Sequence, residues 1–264
     1  MQPSAVAVGL VVLGLTAVAS AQSADKAKVV DAFGTSQRRI GTAAKWEPVN
    51  VGDLLAPATW LKTGANSAVL LALPDKHVMR VGANTTVELK ALGKDKAYSF
   101  NVAAGKVWSI VNSASKPAKY EIETPSAVAG VQGTLFGVFH DATDDATNVS
   151  AAEGQVEVRQ GGKKWMVKQG SCTNLKRGMK QDAVVMDQPE HIRVMWKLLR
   201  EREGWMRGGG EKLDRERVER GLQDFDQRHR AAMMEFWKRR QAAAAKAGQR
   251  PGPPRGPGKP NGRR

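Results

Sequence analysis

From residue 25 to residue 172, apolar and polar positions alternate in short runs cut by Gly, Pro, Asn and Asp. A period of two is the signature of half-buried β-strands. The pattern predicts strands at Val29–Phe33, Ser67–Leu73, His77–Val81, Thr86–Leu89, Tyr98–Val102, Lys106–Val111, Lys119–Glu123, Leu135–His140, Asn148–Ala151, Gln155–Arg159 and Trp165–Lys168. Pro74-Asp75 and Gly161-Gly162 fall between runs as turn formers, and the glycine pair suits a tight hairpin because both residues tolerate positive φ. Helical spacing is absent from this region. Ala103–Ile110 and Ala151–Val158 share a small-residue turn with Gly that opens a strand, which hints at stacked turns of similar geometry, as in a solenoid.

The period changes near Pro189. Pro189 fits the first turn of a helix with Asp187 as its N-cap, and Ile192, Met195, Trp196 and Leu199 then share one face. Gly208-Gly209-Gly210 breaks this helix. A second is expected from Glu211 to about Lys246, with Val218, Leu222, Phe225, Ala232 and Phe236 on a short coiled-coil-like seam that His229 interrupts. Glu216 with Arg220 and Asp224 with Arg228 supply i,i+4 pairs. Such a helix needs a partner: the first helix, the β region or a second copy of the chain. The expected organisation is therefore a signal peptide at 1–21, a β domain at 22–172, a linker at 173–188, a helical extension at 189–247 and a disordered Pro/Gly-rich basic tail at 248–264.

Charge is unevenly spread. The net charge is +15, and residues 187–264 hold 20 Lys/Arg against 11 Asp/Glu. A basic excess favours polyanions without choosing among them. At the other end, the uncharged run Ala5–Ala19 followed by Ala19-Ser20-Ala21 reads as a secretory signal with a small-residue cleavage site, although no Lys or Arg precedes it. A retained anchor is the alternative. Gln22 gives no support for a lipidated cysteine. Cys172 is the sole cysteine, so an intramolecular disulfide and a cysteine-cluster metal site are excluded.

Candidate chemistry is sparse. Asp141, Asp144 and Asp145 share a loop but match no EF-hand spacing. His77, His140, His191 and His229 form no H-E-x-x-H pair, and no G-x-S-x-G elbow, P-loop or G-x-G-x-x-G is present. No catalytic, cofactor-binding or metal-binding residue is assigned, and no cofactor is expected. The seven tryptophans, Trp46, Trp60, Trp108, Trp165, Trp196, Trp205 and Trp237, are expected in the core rather than on a carbohydrate-stacking face.

The segment Thr124-Pro125-Ser126-Ala127-Val128-Ala129-Gly130-Val131-Gln132-Gly133-Thr134-Leu135-Phe136 carries none of the chemistry above, yet it is the most informative stretch of the chain. It resembles the TPSAVAGVRGTxF signature of bacterial FecR domains. Val49–Leu55, Leu61–Leu70, Gly105–Trp108 and Glu153–Val158 resemble further steps of that family in order. Gln132 stands where the family usually has Arg, and Lys76 where it usually has Gly after Pro74-Asp75. Signature residues carried over are Thr124, Pro125, Gly130, Val131, Gly133, Thr134, Phe136 and Gly154, in a structural role. The resemblance implies a mainly β fold, a twisted β-solenoid or β-sandwich, here followed by a helical extension and a basic tail.

The best-known members of that family are membrane regulators that take a signal from an outer-membrane receptor and control a sigma factor. The expectation for this chain is an exported, non-enzymatic binding or scaffold protein, periplasmic or secreted. Its expected partner is an envelope protein or an anionic polymer. Self-association through 189–247 is also open, and nucleic acid is disfavoured. The alternatives are a membrane-retained signalling regulator and a polyanion binder acting through the C-terminus.

Overall fold

The computed structural model describes residues 25–115, 117–131, 133–178, 183–197 and 215–248. The signal segment at 1–21, Gln132, Leu199, Trp205, the break at 208–210 and the tail beyond Gly248 lie outside the described residues, as do the side chains of Val218 and Leu222.

The strands are β1 (Ala27–Phe33), β2 (Ser36–Ile40), β3 (Glu47–Pro48), β4 (Leu54–Leu55), β5 (Thr59–Thr63), β6 (Ala68–Ala72), β7 (Val78–Val81), β8 (Thr86–Leu92) and β9 (Ala97–Ile110). They continue as β10 (Lys119–Glu123), β11 (Val128–Val131), β12 (Leu135–Asp141), β13 (Ala146–Glu153), β14 (Gln155–Gln160), β15 (Lys163–Lys168), β16 (Ser171–Lys176) and β17 (Val185–Asp187). Helix α1 covers 190–197 and α2 is Arg215–Gly248.

Pairing divides the strands into two layers joined through β9. Layer A runs β4-β1-β6-β7-β9-β12-β13-β16-β17 and layer B runs β3-β2-β5-β8-β9-β10-β11-β14-β15. All pairs are antiparallel except β9 with β10. Successive hairpins alternate between layers, so the mainly β architecture is a twisted sandwich with a solenoid-like progression.

The two runs expected at Tyr98–Val102 and Lys106–Val111 are one 14-residue strand, β9, whose first half lies in layer B and second half in layer A. The corner is Gly105, at φ +91°, where a Cβ would stand 2.5 Å from Thr85 Cα. Thr85 Oγ1 clamps the bend, accepting from Lys106 N–H at 3.0 Å. Gly154, at φ +69°, marks the return from β13 in layer A to β14 in layer B. The two similar sequence segments are thus both passages between layers.

Inward positions of both layers form one apolar core, including Leu71, Met79, Val107, Phe136 and Val149 from layer A with Leu61, Leu89, Phe100, Ile122 and Val158 from layer B. Strands β12 and β13 are buried on both faces, because the outer face of layer A carries a second apolar cluster. There Trp108, Leu135, Phe139, Ala152 and Cys172 pack against Ile192, Met195 and Trp196 of α1 and Phe225 of α2. Two glycines make room for the Trp108 ring: a Cβ at Gly82 would lie 2.8 Å from it and one at Gly137 2.9 Å. The Trp108 indole N–H points to Met195 Sδ at 3.0 Å.

Two expectations are revised here. Residues 173–188, expected as a linker, contribute most of β16 and all of β17 to layer A. Asp187 ends β17 rather than standing as an isolated cap, and buried Gln188 seats the start of α1 by donating to Ala151 O at 2.7 Å and Ser171 O at 3.2 Å. On α2 the positions that meet the sheet step by four, Phe225, His229, Met233 and Trp237, while Ala232 is exposed. Among the described side chains the contacts come from the twisted sheet and α1, two of the partners left open above, and the expected seam is kept at Phe225 and His229 but not at Ala232.

Candidate functional site

The turn joining β10 to β11 is where the signature begins, and its geometry follows from its residues. Thr124 closes the turn: its N–H donates to Ala127 O at 2.8 Å and its Oγ1 accepts from Ala127 N–H at 3.0 Å. Below the turn, buried Thr147 of β13 collects three contacts. Its Oγ1 lies 2.8 Å from Thr124 Oγ1, 2.6 Å from Ser126 Oγ and 3.1 Å from His140 Nδ1. The far nitrogen of His140 is 3.9 Å from Asp145 Oδ1.

This hydroxyl–imidazole–carboxylate line has the components of a nucleophile relay but not the arrangement of one. Thr147 stands between Ser126 and the imidazole, all three side chains are buried, and desolvation lowers the His140 pKa. The line instead ties the layer B turn to layer A. From above, Gln160 Nε2 donates to Ser126 O at 2.7 Å, and Arg177 reaches both Pro125 O at 2.9 Å and Asp145 Oδ2 at 2.7 Å. A shallow groove of about 560 Å³ opens beside the turn, bordered by Pro125, Val128, Lys163 and Arg177.

The remaining signature positions each have a physical reason. Val131 and Phe136 are core residues. Gly133 sits at φ +69° with its Cβ position 2.6 Å from Ser113 Cβ, and a Cβ on Gly154 would meet Gly133 O at 3.0 Å. Thr134 Oγ1 donates to Gln155 O at 3.2 Å, stitching the two glycine turns together. Gly130 is different. Its nearest neighbour would be Glu121 Cγ at 3.8 Å, ordinary contact. Gly130 pairs with Glu121 on one side and Glu157 on the other, and this side-chain-free step is where Glu121 meets Arg159 in an ion pair. Bonds from Lys119 and Arg159 outweigh burial and hold the Glu121 carboxyl below the usual carboxylate range.

Two histidine sites arise only from the tertiary structure. His77 is fully buried: its Nδ1 accepts from Asn112 N–H at 2.9 Å, leaving the ring proton on Nε2 facing Ser115 Oγ at 3.3 Å, with Tyr98 and Tyr120 packed edge-on. His191 of α1 and His229 of α2 meet at 3.3 Å between Nε2 and Nδ1, packed with Phe139 and Phe225. Desolvation and then neighbouring His191 and Lys106 push His229 down to about 3, while burial and Arg228 lower His191. A groove of about 490 Å³ runs beside this pair, lined by Asn84, Asp141, Met233 and Trp237 and spanned by Arg230 to Asp141 at 3.7 Å.

Spacing could not show the His191–His229 pair, because 38 residues separate its members. Thr147 gave no signal, falling just before the expected strand Asn148–Ala151, and only β13 as observed includes it. The Asp141–Asp145 loop is spent on ion pairs: Asp144 with Lys176, Asp145 with Arg177 and Asp141 with Arg230. Cys172 is buried, and desolvation pushes its thiol up to about 11, a poor nucleophile. Among the described residues no group of three or more His, Cys, Asp or Glu could hold a metal ion.

Residues 59–157, from β5 into β14, match the family described as FecR protein. Residues 59–157 form a FecR domain. All the signature positions named above lie inside it. FecR proteins are envelope-associated signal-transduction regulators and generally not enzymes. Around the matched FecR segment, β1 to β4 extend both layers on one side and β15 to β17 on the other. Two crystal structures of a candidate anti-sigma factor from Parabacteroides distasonis, at 1.65 and 2.50 Å resolution, are similar at 15% identity and a TM-score of 0.45. The likeness covers 53% of this chain and 64% of theirs, so this chain spans less than two thirds of their length. No curated protein matches the chain. Among the described residues no helix is long and apolar enough to cross a membrane.

Proposed function

We propose that the chain is an exported, non-enzymatic binding and scaffold protein of the bacterial envelope that serves signal transduction by presenting its FecR sandwich to protein partners. The observation that carries this reading is the contrast between the two outer faces. Layer A is apolar outside and covered by the chain's own α1 and α2. Layer B is polar outside and open, laced by the pairs Lys90–Glu123, Lys119–Glu121, Glu121–Arg159 and Glu157–Lys164. A rigid, edge-to-edge charged face sets orientation and partner choice more than raw affinity. The buried polar groups Thr147, Ser126, His140 and Gln188 support the same reading, since they hold turns and layers together.

The uncharged run Ala5–Ala19 favours one second reading, a regulator retained in the membrane by that segment. Intact mass of the native protein decides between them: loss of residues 1–21 supports export, and a full-length chain supports retention. The binding role is tested by capture from envelope extracts with the native protein and a Glu121→Lys/Glu123→Lys variant, which reverses the layer B charge ladder. Reduced capture of a defined partner by the variant is expected. Equal capture, or turnover of an envelope substrate by the purified protein, refutes the reading.

A further inference from the structure

We propose that the outer face of layer B at its N-terminal end is a binding platform for a carboxylate-bearing polysaccharide, built from Trp60, Arg39, Trp46 and Lys62. Among the described tryptophans expected in the core, Trp46, Trp60 and Trp237 belong to neither apolar cluster, and of these Trp237, on α2, is buried. Trp46 and Trp60 are each partly exposed, on the outer side of layer B. Arg39 stands between them: it is the cross-strand neighbour of Trp60, and its guanidinium carbon lies 4.6 Å from the centre of the Trp46 ring.

Guanidinium stacking on an indole leaves the planar group's edge free for a bidentate carboxylate contact. Among the described residues neither Arg39 nor Lys62, two residues along β5 from Trp60, has a carboxylate partner. Four other cations of the face, Lys90, Lys119, Arg159 and Lys164, are paired. Two indoles beside two uncommitted cations present a flat ring for a sugar's apolar face and charges for its carboxylates.

The platform continues across the sheet. Trp60 is opposite Glu88, Glu88 opposite Asn101, and Asn101 opposite Glu123, so hydrogen-bonding side chains follow one another strand by strand. Neighbouring strands are about 4.8 Å apart, giving a row in which successive hydroxyl-bearing units of an extended chain meet successive side chains. An acidic glycan suits both halves, ring stacking and carboxylate pairing at the Trp–Arg end and hydroxyl contacts along Glu88 and Asn101. A protein strand does not need the indoles. The platform is independent of the signalling role proposed above and stands or falls separately.

The test is isothermal titration of the full chain with oligogalacturonate as the carboxylated probe and a cello-oligosaccharide as the neutral one, following tryptophan emission in parallel. Saturable binding of oligogalacturonate is expected, with a loss of about tenfold or more in affinity for Trp60→Ala and, as a gentler change, for Arg39→Gln. Substituting Lys238, Arg239 and Arg240 by Gln on α2 should leave it unchanged. Thermal melts of each variant separate loss of a contact from loss of the fold. No binding at millimolar probe, equal binding by folded Trp60→Ala and Arg39→Gln, equal affinity for the neutral probe, or loss of binding through the α2 substitutions would each overturn the proposal.

Discussion

Acidification should undock α2 before it unfolds the β-sandwich. The cover on layer A holds two neutral imidazoles 3.3 Å apart, His191 and His229, with Lys106 of β9 and Arg228 of α2 adding positive charge and Asp141 of β12 the opposing negative charge. A freed histidine takes up its proton near pH 6.5, whereas docked His229 stays neutral until about pH 3. The folded pKa lies below the free value, so the stabilisation is whole above pH 6.5 and drains away as pH falls toward 3. At about pH 4.5 the two-unit gap for His229 alone amounts to roughly 2–3 kcal/mol, and His191 shifts in the same direction.

Among the described side chains, the large buried apolar groups that α2 brings to this interface are Phe225 and Trp237. A buried ring of that size contributes roughly 1.5–3 kcal/mol, so the proton term is comparable with one aromatic anchor. Native-state amide exchange between about pH 7.5 and 4.5 is the assay, with opening energies read for α2 and for β9 and β12. The α2 amides should lose about 2–3 kcal/mol of protection, and a His191→Gln/His229→Gln variant should lose much less. Pure pH independence of α2, or the same slope in the double variant, refutes the electrostatic account of the cover.

The two signature glycines should respond in opposite ways to alanine. Gly133→Ala forces a positive-φ alanine against Ser113 and should cost about 2–4 kcal/mol, while Gly130→Ala, with free space around it, should stay within about 1 kcal/mol; urea melts of the purified variants compare them directly. Thr147→Val removes the hydroxyl shared by Thr124, Ser126 and His140, and should cost about 2–3 kcal/mol in the same melts, with tryptophan emission and the far-ultraviolet spectrum otherwise native.

Most of the strands were legible because half-buried strands advertise themselves by alternation. β10 falls on its expected bounds, Lys119–Glu123, and β14 is one residue longer than expected. The elements that escaped did so for identifiable reasons. β2, with the sequence SQRRI, reads as polar because its outward side is charged, and β16 and β17 are short and lack a repeating pattern. β9 read as two strands because Ala103-Ala104-Gly105 looks like a loop, whereas Thr85 turns it into a corner. The signature glycines were recognisable as necessary, but only packing separates Gly133, which excludes a side chain, from Gly130, which merely leaves a gap for an ion pair. Trp46 and Trp60 were assigned to the core because large aromatics usually belong there, and only the topology shows them facing outward.

The central position of β9 in both layers has a consequence for how the chain is made. Every strand before it lies to one side of β9 and every strand after it to the other, so no late segment must thread back among early ones. A polypeptide arriving amino end first, from a ribosome or through a translocation pore, can zip up one flank, lay down the shared spine and then add the second flank in order. The helical cover comes last. Nearest-neighbour growth of this kind keeps closure distances short and limits the time that raw strand edges stand unpaired.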